Sequence, residues 1–296
     1  MAPLAFDPQL YVEDDATMVS STASLAMVRH AIAPRYVEAV PLDADLRAIP
    51  RLQVMGAFRT HRGRRDKHED AFAALRDATY VIADGVGGHA GGSVASRTAV
   101  EAVERAFRDG AFGQPQFVGR VPSGAREVVG AMLASHFAVQ ARAAEDVALK
   151  GMGTTLVVLR ADALRELAVI ASVGDSRCYR VRDGKVEQLT VDHVTQETVK
   201  GASRRVLSQA MGIGTPAIDL CVAALRPGDL YLLCTDGLYG ELTDADICAI
   251  LRDPGDLHAA AGHLVDLAVA KGAKDNVSVV LVSVSISGSS LDRRGV

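Results

Sequence analysis

The sequence predicts an α+β fold of antiparallel sheets flanked by helices, and three observations carry that prediction. Short apolar, β-branched runs follow one another at hairpin-like spacing, at 54–58, 78–83, 154–159, 167–173, 177–182, 230–235 and 277–284. Two longer segments of helical spacing are inserted between these runs instead of alternating with them. The first of these helices leads to Gly113, Pro115 and Pro122, not to a second parallel strand, which disfavours a βαβ sheet.

Along the chain, residues 1–51 read as an N-terminal extension of uncertain order. Its first 50 residues hold five of the ten prolines and the acidic patch Glu13-Asp14-Asp15, and 25–32 is its one helical stretch. Residues 52–286 form the folded domain and 287–296 a tail. The first long helix places Val94, Thr98, Ala102, Val103, Ala106 and Phe107 on one face, with Ser93 as its N-cap. The second does the same with Val128, Val129, Met132, Leu133 and Phe137. Gly174-Asp175 reads as a tight hairpin turn joining two strands, and Gly184 marks a turn before 186–189. Two shorter helices follow Thr243 and Asp256.

Composition removes several function classes. With 49% hydrophobic and 23% charged residues the chain can bury an ample core, and a net charge of −4 gives no overall basic footprint for nucleic acid or an anionic membrane. The longest apolar runs are far shorter than the ~18–20 residues of a membrane helix. The first ten residues carry no positive charge, so they do not read as a secretory signal. Four cysteines without a C-x-x-C pair point away from a disulfide framework and toward a reducing cytoplasm. Six residues after each cysteine stand Gly184, Pro227, Gly240 and Pro254, so a C-x-x-x-x-x-R nucleophile is absent. Neither a G-x-S-x-G elbow nor a G-x-x-x-x-G-K-[ST] loop occurs.

Acids at strand ends are the chemical signal. Asp84, Asp175, Asp236 and Asp275 each end or adjoin a predicted strand beside Gly or Asn, and Glu69-Asp70 precedes the apolar Ala71-Phe72-Ala73. One such acid is ordinarily a turn residue; five such sites in one chain invite the question of whether they converge. If they do, two unit charges ~4 Å apart repel by ~4 kcal/mol at an effective dielectric of 20. Cations would then have to neutralise them, and all-oxygen donors suit Mg²⁺ or Mn²⁺ more than zinc. Two hard metals bridged by a carboxylate are the equipment of phosphoryl hydrolysis.

Asp84-Gly85-Val86-Gly87-Gly88-His89 is the densest motif. Its glycines also satisfy a dinucleotide fingerprint, but an Asp beside a pyrophosphate and the missing second parallel strand argue against that reading. From about Met55 to Val284 the chain resembles the metal-dependent protein serine/threonine phosphatases of type 2C, of bacterial character. The resemblance rests on Arg65 with Glu69-Asp70-Ala71, on Asp84–His89, on Gly153-Thr154-Thr155, and on Val173-Gly174-Asp175-Ser176-Arg177. It is completed by Leu189-Thr190-Val191-Asp192-His193, by Leu233-Cys234-Thr235-Asp236-Gly237-Leu238 and by Asp275-Asn276-Val277-Ser278-Val279-Val280.

That resemblance implies a four-layer α-β-β-α sandwich and hydrolysis of phosphoserine and phosphothreonine in proteins by a water bridging two Mn²⁺ or Mg²⁺ ions. It implies that Asp84 bridges both metals, that Gly85 offers its carbonyl to the second, and that Asp236 and Asp275 hold the first. Glu69 and Asp70 would sit beside the second metal, and Asp175 would help bind a weaker third. Arg65 would hold the phosphate through its planar fork, and His89 would protonate the leaving oxygen. The implied partners are phosphorylated proteins, targets of a serine/threonine kinase, met by a monomer in the cytoplasm without nucleic acid or membrane. The alternative is a catalytically silent phosphatase fold serving as a binding or regulatory module. His61, His68 and His193 read as structural residues. Three departures stand out: His68 where Asn is usual, Ser93 where Glu is common, and a shortened flap at 194–206.

Overall fold

The computed structural model describes residues 34–37, 52–86, 91–115, 121–199 and 202–287. Strand β1 (Pro34–Val37) is followed by β2 (Leu52–His61), β3 (Asp70–Leu75) and β4 (Thr79–Val86). Helices α1 (Gly92–Asp109) and α2 (Ser123–Glu145) come next, then a 3₁₀ turn at Val147–Leu149. Nine strands run on from there: β5 (Gly153–Thr154), β6 (Leu156–Asp162), β7 (Leu167–Val173), β8 (Arg177–Arg182), β9 (Lys185–Gln188), β10 (Val194–Val199), β11 (Ala202–Leu207), β12 (Asp219–Ala224) and β13 (Leu230–Cys234). Helices α3 (Asp236–Tyr239), α4 (Asp244–Leu251) and α5 (Leu257–Ala270) precede the last strand, β14 (Val277–Ile286).

The strands form two large sheets. One runs β1-β12-β7-β6-β4-β3 with β5 attached to β4; the other runs β2-β14-β13-β8-β9. Among the described residues only β1 on β12 is parallel, and the other pairings are antiparallel. Period-two alternation sends successive residues of one strand into different cores. In β4, Val81 and Ala83 face a core shared with Val100 and Val103 of α1 and Val128 and Met132 of α2. Tyr80 and Ile82 of the same strand face Tyr231, Leu233, Val280 and Val282 of the opposite sheet. On the far side, Leu232 and Leu281 pack against Ile247 and Leu251 of α4 and Leu264 and Val265 of α5. Three cores separate four layers, so the expected α-β-β-α sandwich is the observed one.

Two local expectations are corrected. Gly174-Asp175 is not a hairpin turn, because β7 and β8 lie in different sheets and Gly174-Asp175 carries the chain across the sandwich. Gly174 has φ +101°, and a Cβ there would stand 2.7 Å from Thr155 Cβ, so the crossover requires glycine. Ser93 is not the N-cap of α1; the cap is Gly91, with no side-chain hydrogen bond. The helix starts in contact with β4 and Glu69: a Cβ on Gly92 would lie 2.7 Å from Glu69 Oε1 and 2.9 Å from Gly85 O. By contrast, Thr243 caps α4 in a capping box with Asp246, and Asp256 caps α5, at the positions the sequence suggests. Of the N-terminal extension only β1 is described; the 25–32 helix lies outside the described residues. The flap segment takes the form of the antiparallel pair β10–β11.

Candidate metal centre

Pairing between β3 and β4 sets Asp70 opposite Asp84. Thr155, which interrupts the run between β5 and β6, accepts a hydrogen bond from Asp84 N at 2.9 Å through Oγ1. It also donates its own N–H to Asp84 O at 2.8 Å, where Thr154 Oγ1 donates at the same distance. The Asp84 backbone is thereby fixed on both sides. Gly85 N donates to Glu69 O at 3.1 Å, and a Cβ on Gly85 would collide with Gly92 O. Glycine at 85 and 92 is therefore a packing requirement of the strand-to-helix junction, and Glu69 lies against that junction.

The other sheet supplies the opposing wall. Thr235, just past β13, donates through Oγ1 to Asp70 Oδ2 at 3.0 Å and accepts from Ser278 N at 3.1 Å. Asp236 opens α3 immediately after it. Asn276 ties the Arg62–Lys67 loop to the site: its Oδ1 accepts from Glu69 N at 2.7 Å, and its Nδ2 donates to Arg62 O at 2.9 Å and Lys67 O at 3.0 Å. Neighbouring Asp275 accepts from Arg65 Nη2 at 2.5 Å. In this structure Arg65 is thus the ion-pair partner of Asp275.

Asp175 stands at the sheet-to-sheet crossover. Tyr239 OH donates to its carbonyl at 2.9 Å, and the Arg177 guanidinium lies over the Tyr239 ring, 3.6 Å from its centroid. Arg177 bonds Asp192 through Nε at 2.9 Å and Nη2 at 2.7 Å, while Arg205 of β11 adds a third bond to Asp192 at 2.7 Å. Burial opposes the Asp192 charge, but these guanidinium bonds win and hold its carboxyl below the usual range. His193 accepts from Gly174 N through Nδ1 at 3.2 Å and faces Asp219 Oδ2 through Nε2 at 3.0 Å, so it braces the crossover from within. His68 bonds Thr60 Oγ1, and His61 Nδ1 accepts from Gly63 N, both structural uses.

Electrostatics states what this arrangement lacks. Burial, then the charges of Asp70, Asp236, Asp275 and Asp175, push Asp84 well above the ordinary carboxylate value. Asp236 rises to about 7 through burial and then Asp275, and Asp70 to about 6 mainly through burial. Burial, followed by Asp192, raises Asp175 as well. Asp70 Oδ1 and Asp236 Oδ1 are buried with no hydrogen-bond partner. Among the described residues no three of these acids are close enough to form a finished ligand set. Mutually repelling, all-oxygen donors with two orphaned atoms fit hard divalent cations.

The structure therefore brings together Asp70, Asp84, Asp236, Asp275 and, at its edge, Asp175; Glu69, Gly85 and Arg65 adjoin them. His89 lies outside the described residues. Sequence reasoning noted Thr155, Thr235, Asn276 and Ser278 only as parts of motifs and gave none of them a role. For Thr235, Asn276 and Ser278 the signal was adjacency to a candidate acid; Thr155 is brought to Asp84 only by strand pairing.

A family profile described as protein phosphatase 2C matches residues 58–266. The serine/threonine phosphatase Stp of Listeria innocua is 30% identical over 245 residues, covering 76% of this chain and 94% of that protein. The serine/threonine protein phosphatase PstP of Mycobacterium tuberculosis is 31% identical over 244 residues, covering 77% of this chain and 44% of that protein. The catalytic domain of PstP, solved in complex with two manganese ions, superposes with a TM-score of 0.64 at 30% identity, covering 79% of this chain and 99% of that domain.

Proposed function

The chain belongs to the protein phosphatase 2C family, and from that premise we propose that it is a metal-dependent hydrolase of phosphoserine and phosphothreonine in proteins. The observation that carries this reading is the set of buried, mutually repelling carboxylates with two orphaned oxygens at Asp70 and Asp236. Two Mn²⁺ or Mg²⁺ ions, when bound, lower the pKa of water and screen the phosphate charge. Asp84 would serve both ions, Gly85 O the second, and Asp236 with Asp275 the first. Glu69 and Asp70 would hold the surroundings of the second ion, and Asp175 a weaker third.

The chain's own groups have separate tasks. Asn276 and Thr235 hold the acids and the loop above them in register through their hydrogen bonds. Arg65, paired with Asp275 in this structure, would grip phosphate oxygens through its planar fork, with Asp275 as a metal ligand beside it. His89, on the strength of its motif, would return a proton to the leaving seryl or threonyl oxygen. A catalytically silent module is not supported: every acid of the inferred set is present, and the relatives bear phosphatase names.

Cytoplasmic residence, monomeric state and kinase-generated substrates complete the proposal. Free cysteines, three of them buried, support a reducing compartment. Among the described residues no helix is long and apolar enough to cross a membrane. The test is hydrolysis of a phosphothreonine peptide with Mn²⁺ and again with EDTA. Release of phosphate that requires the metal is expected; equal release in EDTA would contradict the reading.

A further inference from the structure

Residues 59–68 carry Arg59, Arg62, Arg64, Arg65 and Lys67 against the single acid Asp66, a local balance of +4 in a chain whose net charge is −4. A run of charge is ordinarily a solvated face, but this one is built onto the site. Asn276 Nδ2 holds the carbonyls at both ends of the Arg62–Lys67 loop, and Arg65 reaches Asp275. Gly63 is packed so closely on Asp275 O that a Cβ would overlap it. Arg64 Nη2 lies 3.4 Å from where a Cβ on Gly272 would stand, so its side chain extends over the turn that leads to Lys274. Arg62, Arg64, Lys67 and Lys274 are all exposed.

Resting on the phosphatase reading, we infer that this rim selects phosphorylated segments with acidic residues beside the phosphorylated one. The acids at the centre cannot attract such a segment. Arg62, Arg64 and Lys67 lie within three residues of Arg65 in the chain and Lys274 immediately precedes Asp275, so exposed cations flank both partners of the Arg65–Asp275 pair and are available to carboxylates beside a phosphate held there. Each exposed pair contributes little alone, and several together change encounter and binding more than chemistry. The effect therefore belongs in KM and in ionic-strength dependence.

The experiment uses three phosphothreonine peptides of one length, flanked by Glu, by Ala or by Lys, hydrolysed by the full chain with Mn²⁺. The Glu-flanked peptide is expected to exceed the Ala-flanked one in kcat/KM by about tenfold at low salt, with the difference carried by KM. Raising salt from about 20 to about 500 mM should remove most of that ratio, because the screening length falls to a few ångströms. In the double variant Arg64→Ser, Lys67→Ser the Glu-to-Ala ratio should collapse toward one, and a thermal melt establishes that the variant is folded. Equal hydrolysis of all three peptides would overturn this inference and leave the phosphatase reading standing. Hydrolysis of none of them with Mn²⁺ would overturn both. A Glu-to-Ala ratio that survives in the folded double variant would place the selection elsewhere and overturn the role of the rim.

Discussion

Asp236 begins a four-residue helix with its carboxyl pushed up to about 7 by burial and by Asp275, and its Oδ1 has no partner. Asp236→Asn should have two opposite effects. It removes a proposed metal ligand, and since the loss of even a supporting group costs ~10–100-fold, turnover should fall by more than ~100-fold. It also removes a buried charge from a repelling cluster, so the metal-free variant should melt a few degrees above the metal-free wild type near pH 8. Parallel rate assays and metal-free melts check both. A variant that is inactive and also less stable without metal would indicate a structural role for Asp236 instead. Individual residues were unevenly legible. Asp84, Asp236 and Asp275 announce themselves as acids beside Gly or Asn at strand ends, whereas Thr235 and Thr155 act through hydroxyl hydrogen bonds that no periodicity marks.

At the scale of elements, the crossover between β7 and β8 decides where Asp175 stands. Gly174 occupies the left-handed region with Thr155 against its α-carbon, and Thr155 in turn bonds Ser176 Oγ at 2.7 Å and Asp84 N. Gly174→Ala combines an unfavourable φ with a clash, costing about 2 kcal/mol or more and lowering Tm by about 4–8 °C. The displaced crossover should also weaken the Mn²⁺ dependence that Asp175 supports. A melt within about 1 °C of wild type would contradict this description of the turn. The sequence marked Gly174-Asp175 as a turn correctly but mistook its partners, since a glycine at φ > 0 serves a hairpin and a sheet-to-sheet passage equally well. β12, with the apolar run Leu220-Cys221-Val222-Ala223-Ala224, was also overlooked, and its place is settled by pairing with β7 and β1, far away in sequence.

For the whole molecule, antiparallel sheets with flanking helices were legible because β4, β6, β7, β13 and β14 are buried on both faces and read as continuous apolar runs, whereas the four-layer order came from the family resemblance. The two cores flanking the sheets require amphipathic helices, and α1, α2, α4 and α5 supply them. What sits between the sheet ends costs stability. Asp70 and Asp236 have folded-state values of about 6 and about 7 against an ordinary 3.8, and burial with the neighbouring acids raises Asp84 as well. Folding therefore favours their protonated forms. Below 3.8 these acids are neutral in both states and the contribution is fully present; it is lost as pH rises through about 6 and about 7. The metal-free protein should lose several degrees of Tm between about pH 5 and pH 8. Mn²⁺ should restore them, with a larger stabilisation at pH 8 than at pH 5, because its ligands must be ionised. A metal-free Tm that rises over this interval would show that these carboxylates are not charged against one another.

The most direct test of the central claim counts Mn²⁺ on the purified protein at pH 7.5 by equilibrium dialysis, with hydrolysis of a phosphothreonine peptide measured on the same samples. Two ions bound with high affinity, and activity that rises with their occupancy and falls on removal by EDTA, are the expected result. Phosphate release from protein stripped of metal, or saturable Mn²⁺ binding undiminished in Asp84→Asn and Asp236→Asn, would contradict it.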